Sequence, residues 1–310
     1  MEVSQETAQI SRPYLDYSPL GGVGTTAATP SSVSLENIFE NIKTKYTRFH
    51  ELPEFKKVKN ELPIALVGGG PSLKGQLEEL RKFRTVIACG SVHDYLIING
   101  IIPTYSAICD PDPVSINYLK LKHLEVKYLI ASACDPKIFK YLEDCPIVMW
   151  HCHSDDYTKH LAKIEPNGEY QGIGGGCTIG LRSVSMAITL GYRNLHMFGF
   201  DSCLSEEESY AYDLSTQEEK DNQGEVYKLK IGMSWNGPSE KTYRCLGYHL
   251  AQAENFRKFM IEYDNLFSAT FYGEGLLPDL IGMIKEESFK MQLNEEAKKK
   301  IEELEKGTLQ

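Results

Sequence analysis

Val67-Gly68-Gly69-Gly70-Pro71-Ser72-Leu73 is the stretch on which the reading of this 310-residue chain turns. The apolar run Ile64-Ala65-Leu66-Val67 leads into it and has the length and composition of a buried strand. After it, Leu73, Leu77 and Leu80 recur at helical spacing. The segment therefore reads as strand, turn and helix. Glycines let backbone approach a ligand closely, and Pro71 suits a first helical position, where its missing N–H costs nothing. A helix start presents N–H groups and partial positive charge to an anion. Gly68, Gly69, Gly70, Pro71 and Ser72 are thus candidate phosphate-binding residues, with a tight strand-to-helix turn as the plainer reading. No Gly-Lys-Ser/Thr follows, so this is not a P-loop, and Leu73 stands where a dinucleotide fingerprint needs its third glycine.

The same alternation continues outward. Residues 85–89, 105–109, 128–133, 147–152, 195–200 and 267–272 read as strands. Helices are expected over 94–99, from Gly174-Gly175-Gly176 to about 190, and over about 243–263. Short apolar runs interleaved with amphipathic segments predict an α/β fold: a Rossmann-like, mostly parallel sheet with helices on both faces and small C-terminal helical or lid elements. Residues 1–33 are small and polar and are expected to form a disordered tail. A helix capped by Ser34 opens a single domain over 34–284, and the Glu- and Lys-rich residues 285–310 predict a charged, solvated C-terminal helix. The acidic stretch 202–224 suggests a lid or surface insertion, followed by a hairpin around 226–235.

A net charge of −10 argues against a nucleic-acid partner, because phosphate backbones are held by clustered Lys and Arg. No apolar run approaches the roughly 20 residues that span a bilayer. The N-terminus lacks the pattern of a signal peptide, so a cytoplasmic location is expected. Eight cysteines without a C-x-x-C pair read as buried thiols.

Several further residues can carry chemistry. Asp110 and Asp112, in Cys109-Asp110-Pro111-Asp112-Pro113, follow a strand, where open α/β sheets bind ligands. They suit a ribose, a metal or an acceptor hydroxyl, although capping before Pro113 also accounts for Asp112. Gly175, Gly176 and Thr178 open a helix and offer a second anion site or merely a flexible entry. Asp201 closes the strand that ends Gly199-Phe200-Asp201. His249 is the one histidine of the C-terminal third and a candidate general base, with a helix-embedded core or surface histidine as the plainer reading. His151-Cys152-His153 has no matching pair at zinc spacing and reads as a strand end.

Gly68-Gly69-Gly70-Pro71-Ser72-Leu73, then Asn99-Gly100-Ile101-Ile102-Pro103 leading to Asp110, then Ser185 to Asp201, resemble in this order the MptE-like domain family. That family includes an archaeal 6-hydroxymethylpterin diphosphokinase and flagellin nonulosonate transferases, and the likeness runs from about residue 60 to 284. The stretch also looks like bacterial CMP-sialic-acid transferases of the Campylobacter type. In those, a strand ending Gly-x-Asp is followed by a loop here matched by Ser209-Tyr210-Ala211-Tyr212-Asp213. The resemblance implies that Tyr210 supports the leaving nucleotide's phosphate and that Gly275-Leu276-Leu277 turns near the nucleotide. It also implies a catalytic histidine, for which Gly247-Tyr248-His249 stands one residue out of step. Two activities follow as expectations. One moves a nonulosonate from a CMP-sugar to a hydroxyl of a small molecule or glycan, without an essential metal. The other transfers diphosphate from ATP, with Mg²⁺ on Asp110 and Asp112. A catalytically silent, phage-associated or structural nucleotide-binding module is the third expectation, and self-association stays open.

Overall fold

A computed structural model describes residues 13–16, 31–56, 60–153, 157, 159–161, 172–176, 178–205, 208, 210–212, 226–233, 241–263 and 266–285. The main sheet is built from β2 (Thr47–Arg48), β3 (Asn60–Val67), β4 (Val86–Cys89), β5 (Tyr105–Ile108), β6 (Lys127–Ala131), β7 (Ile147–Cys152), β9 (Tyr192–Phe198) and β12 (Ser268–Tyr272), with β8 (Gly172–Ile173) beside β7. Their order is β12-β9-β3-β4-β5-β6-β7-β2, and every neighbouring pair is parallel. Parallel sheets are covered on both faces, which is why the central strands β4, β5 and β7 are largely apolar. Every residue of β4, β5 and β7 is buried, and Trp150 on β7 hydrogen-bonds the Leu129 carbonyl from within the core at 3.0 Å. The expected Rossmann-like α/β fold is what the chain adopts.

The path of the chain places the site. From β3 it steps outward through β4, β5, β6 and β7, then crosses back to β9 on the other flank of β3. β3 and β9 therefore border a topological switch point, and open α/β sheets bind ligands outside the carboxyl ends of their strands at such a point. The turn after β3 is Gly68–Gly70, and the turn after β9 is Gly199–Asp201.

Around this sheet lie α1 (Ser31–Asn41), α2 (Leu77–Leu80), α3 (Val92–Ile98), α4 (Pro136–Tyr141), α5 (Ile179–Thr189), α6 (Gly247–Glu262) and α7 over 276–285. In α5, Leu181, Val184 and Ala187 repeat at three-residue spacing and face the core. Thr178 caps it, its hydroxyl accepting from the Leu181 N–H at 3.3 Å. α1 begins at Ser31, three residues before the expected cap, so Ser34 is buried within the helix. The helix expected over 243–263 starts only at Gly247. Residues 241–245 form β11 (Lys241–Cys245) instead, paired antiparallel with β10 (Tyr227–Met233).

Part of the segment expected as a tail lies among the described residues. β1 (Pro13–Asp16) pairs antiparallel with β10, from Pro13 opposite Met233 to Asp16 opposite Lys230. The composition of residues 1–33 offers little to bury, but a hairpin edge presents open N–H and C=O groups that backbone alone satisfies. The expected C-terminal helix lies outside the described residues beyond 285. Seven cysteines, at 89, 109, 134, 145, 152, 203 and 245, are free thiols. Among the described residues no helix is long and apolar enough to cross a membrane.

Candidate active site at the switch point

The two glycine-containing turns at the switch point pack directly on each other. Gly68 N–H donates to the Phe198 carbonyl at 2.8 Å, and Gly70 N–H donates to the Gly199 carbonyl at 2.9 Å. A Cβ on Gly68 would stand 2.6 Å from the Gly199 oxygen, and one on Gly70 would stand 2.7 Å from the Asp201 carboxyl carbon. Gly199, at φ +64, faces the Gly68 oxygen in the same way. These glycines serve first to bring two loops into backbone contact.

The expected anion cradle is correspondingly altered. Residues Pro71–Gly75 form a short 3-10 turn, not the start of a long helix. Both donors of Ser72 are already taken: Asp201 Oδ2 accepts from the Ser72 N–H at 2.7 Å and Oδ1 from the Ser72 hydroxyl at 2.5 Å. Burial raises the Asp201 pKa, while the two Ser72 bonds pull it down. Asp201 is thus the anion this turn holds, supplied from within the chain. Gly275, at φ +152, lies against the backbone of Asp201, and the Leu277 N–H donates to the Asp201 carbonyl. Gly275 and Asp201 therefore act as one structural clasp.

A different helix start opens on the crevice. A chamber of about 200 Å³ is lined by Gly68–Gly70, Gly90, Thr178, Ile179, Gly180, Asp201, Tyr210 and His249, among others. The N–H groups of Ile179 and Gly180, in the first turn of α5, have no carbonyl one turn back to bond. Gly180 leaves no room for a side chain, since a Cβ there would meet the Phe200 ring at 2.9 Å. The helix start that opens on this chamber is therefore that of Thr178–Gly180. Gly175 and Gly176 are not part of it. They line a separate cavity with Ser185, Asn255 and Lys258, and both adopt positive φ to fit under α5 and α6.

Tyr210 reaches the chamber because its loop is fastened to the first turn. The Ala211 N–H donates to the Gly69 carbonyl at 2.9 Å, Tyr212 Oη bonds Ser91 Oγ at 2.6 Å, and Lys74 pairs with Glu208 at 2.6 Å. Residues 213–224, the rest of the expected lid, lie outside the described residues, as do Ser209 and the Glu206-Glu207 pair.

His249 lines the same chamber but with a different character from that expected. It is buried, and the Leu246 N–H donates to its Nδ1 at 3.1 Å. Burial lowers its pKa to about 3. A neutral ring whose Nδ1 is an acceptor carries its proton on Nε2. His249 is thereby a hydrogen-bond donor at neutral pH and not the near-neutral base the sequence suggested.

Asp110 lies in an adjoining chamber of about 480 Å³, which shares Gly90, Ser91, Thr178, Ile179 and Tyr210 with the first. Desolvation raises its carboxyl pKa against the opposing Asp112 N–H, which donates to Oδ1 at 2.9 Å. Asp112 lines neither chamber. It caps the following turn by accepting from the Val114 N–H at 2.8 Å. The two carboxylates are therefore not presented together, and among the described residues no three His, Cys, Asp or Glu side chains group to hold a metal. This pair does not fit a ready-made Mg²⁺ site. His151 is likewise committed inside the core, to Ser132 at 2.8 Å.

The sequence reading missed Arg182, which lines the larger chamber beside Asp110. Its signal was present: it is the one charged residue in the otherwise uncharged α5 sequence Ile-Gly-Leu-Arg-Ser-Val-Ser-Met-Ala-Ile-Thr. Ser202, next to Asp201, holds φ +52 and is the one non-glycine residue at positive φ among those described.

Among solved structures, the MAf glycosyltransferase from Magnetospirillum magneticum AMB-1 superposes with a TM-score of 0.58 at 17% identity, over 86% of this chain and 42% of that one. This chain therefore spans less than half of that relative's length, and the likeness is one of fold. The sialyltransferase CstII from Campylobacter jejuni, solved with cytidine-5'-monophosphate, matches at 19% identity over 71% of this chain and 86% of that one. Its TM-score is 0.37. No curated protein matches the sequence. The family model described as 6-hydroxymethylpterin diphosphokinase MptE-like matches residues 34–207, which takes in the first glycine turn, Asp110, the α5 start and Asp201. With more than half of its 310 residues so matched, the chain belongs to the MptE-like family.

Proposed function

We propose that the chain is a nucleotide-dependent transferase that moves a nonulosonate-type sugar from a CMP-sugar to a hydroxyl acceptor. The observation that carries this reading is the meeting of the α5 start, Tyr210 and His249 in one chamber at the switch point. A departing nucleoside phosphate gains charge on oxygen as its bond to the sugar breaks. Donors fixed in advance where that charge develops lower the barrier. Here these are the N–H groups of Ile179 and Gly180 with the α5 dipole, the Tyr210 hydroxyl and the His249 Nε2–H.

The acceptor oxygen bonds to the anomeric carbon, the electrons of the broken bond go to the phosphate oxygen, and the acceptor's proton goes to a base. Asp110 is the carboxylate of the adjoining chamber, and its raised pKa makes it a better proton acceptor than an ordinary aspartate. No step in this scheme needs a metal.

The family description supports a second reading, diphosphate transfer from ATP to a pterin-like hydroxyl. It asks for Mg²⁺, and the Asp110–Asp112 arrangement counts against a site built beforehand for it. Thermal unfolding with CMP, ATP and each nucleotide plus Mg²⁺ separates the readings. A ligand at about 100 times its dissociation constant adds about 2.7 kcal/mol of stability. A metal-independent shift with CMP is the expected result. A shift with ATP only in the presence of Mg²⁺ transfers the assignment to diphosphate transfer. No shift with any nucleotide leaves a catalytically silent module.

A further inference from the structure

We infer that the larger chamber is a sugar-acid site in which Arg182 receives the ligand's carboxylate. Arg182 is the one Lys or Arg side chain among the described residues lining either chamber. Among the described residues its side chain makes a single hydrogen bond, Nη1 to the Ile173 carbonyl at 2.7 Å, and no ion pair. That bond orients the guanidinium without neutralising it. A guanidinium has five N–H donors in a fixed fork, so most of them are left for a ligand. The chamber's volume of about 480 Å³ falls within the range of small-molecule sites.

The charge pattern narrows the ligand. Asp110 lines the same chamber, so a dianionic phosphate would meet one positive and one negative group. A monoanionic carboxylate matches one guanidinium in a two-pronged contact. The remaining lining suits a hydroxylated body: Ser91, Ser115 and Thr178 offer hydroxyls, and Asp110 accepts from ligand hydroxyls. Thr178 and Ile179, at the anion-favouring start of α5, line both chambers, so the carboxylate end sits beside the nucleotide chamber. This inference rests on the transferase reading only for which sugar acid is bound, that of the donor or that of the acceptor.

The test uses the full chain and four probes in calorimetric titrations: CMP, free N-acetylneuraminate, neutral N-acetylmannosamine and CMP-N-acetylneuraminate. Wild type is compared with Arg182→Met and Arg182→Lys. The expected result is that free N-acetylneuraminate binds wild type and loses roughly 10- to 100-fold in Arg182→Met, the usual loss for a charge-assisted contact. Arg182→Lys should fall between, while CMP affinity stays unchanged in both variants and thereby shows that they are folded. Equal binding of the sugar acid to wild type and Arg182→Met overturns the inference, and so does a wild type that ignores it or favours N-acetylmannosamine. Arg182-dependent tightening of CMP-N-acetylneuraminate over CMP assigns the sugar acid to the donor. Simultaneous binding of CMP-N-acetylneuraminate and an Arg182-dependent free sugar acid assigns it to the acceptor. Failure of CMP to bind, with the sugar acid still Arg182-dependent, sinks the CMP-sugar reading and leaves the site standing.

Discussion

Two turns of three glycines, Gly68-Gly69-Gly70 and Gly174-Gly175-Gly176, each lead from a strand toward a helix, yet they end in different surroundings. The first is pressed between the β9 turn and the Tyr210 loop, with Gly69 so close that a Cβ would stand 2.5 Å from the Tyr212 hydroxyl oxygen. It forms the floor of the switch-point chamber. The second lies on the far side of α5, in a cavity of about 520 Å³ with Asn255 and Lys258, and a Cβ on Gly174 would meet nothing within 4 Å among the described residues. Glycine is present in one turn for close approach between loops and in the other for two positive φ angles. The catalytic value of a glycine turn therefore depends on what the fold brings against it.

The sharpest way to break this comparison is to add a methyl group to each turn. Gly70→Ala forces a Cβ into the Gly199 backbone carbonyl and into the Asp201 side-chain carboxylate that Ser72 holds, and separates the clasp on Ser72. We expect a loss of about 3 kcal/mol in urea unfolding. A loss below about 1 kcal/mol would mean that the two turns are not in contact.

The chamber over the first turn also has a pH signature. The folded-state pKa of His249 is about 3, against 6.5 for the ordinary group, so below pH 6.5 the unfolded chain takes up a proton that the folded chain refuses. Its contribution to stability is fully present above pH 6.5 and is lost as pH falls toward 3. Between pH 7 and pH 5, His249→Gln should remove about 2 kcal/mol of the wild type's loss of stability. An unchanged loss would show that His249 titrates normally in the folded chain and restore it as a general base.

The smallest expected effect sharpens the contrast from the other side. Gly174→Ala meets open space at an ordinary φ and should stay within about 0.5 kcal/mol of wild type. Its nucleotide-induced thermal shift should also be unaltered. A loss of nucleotide binding in that variant would return the second turn to the active site.

Much of this molecule was readable as a sequence because its signals are local. Buried parallel strands are largely apolar, so β4, β5, β7 and the second half of β3 announce themselves, and the bounds of β7 match the expected 147–152 residue for residue. Gly100, at φ +70, stops α3 where the sequence placed the stop. The α/β class and the strand-end positions of Asp110 and Asp201 followed from such runs and their glycines. Tertiary structure decided the rest. The crossover from β7 back to β9 sets Asp201 on Ser72, 129 residues away, and so fills one helix start with an internal carboxylate while leaving that of α5 open. Burial decided that His249 is a neutral donor, and docking of the Tyr210 loop put Tyr210 in the wall of both chambers, the larger of which Arg182 lines. The reason is physical: a strand or a turn is dictated by neighbours within a few residues, whereas desolvation and the pairing of charges depend on groups that only the folded chain brings together.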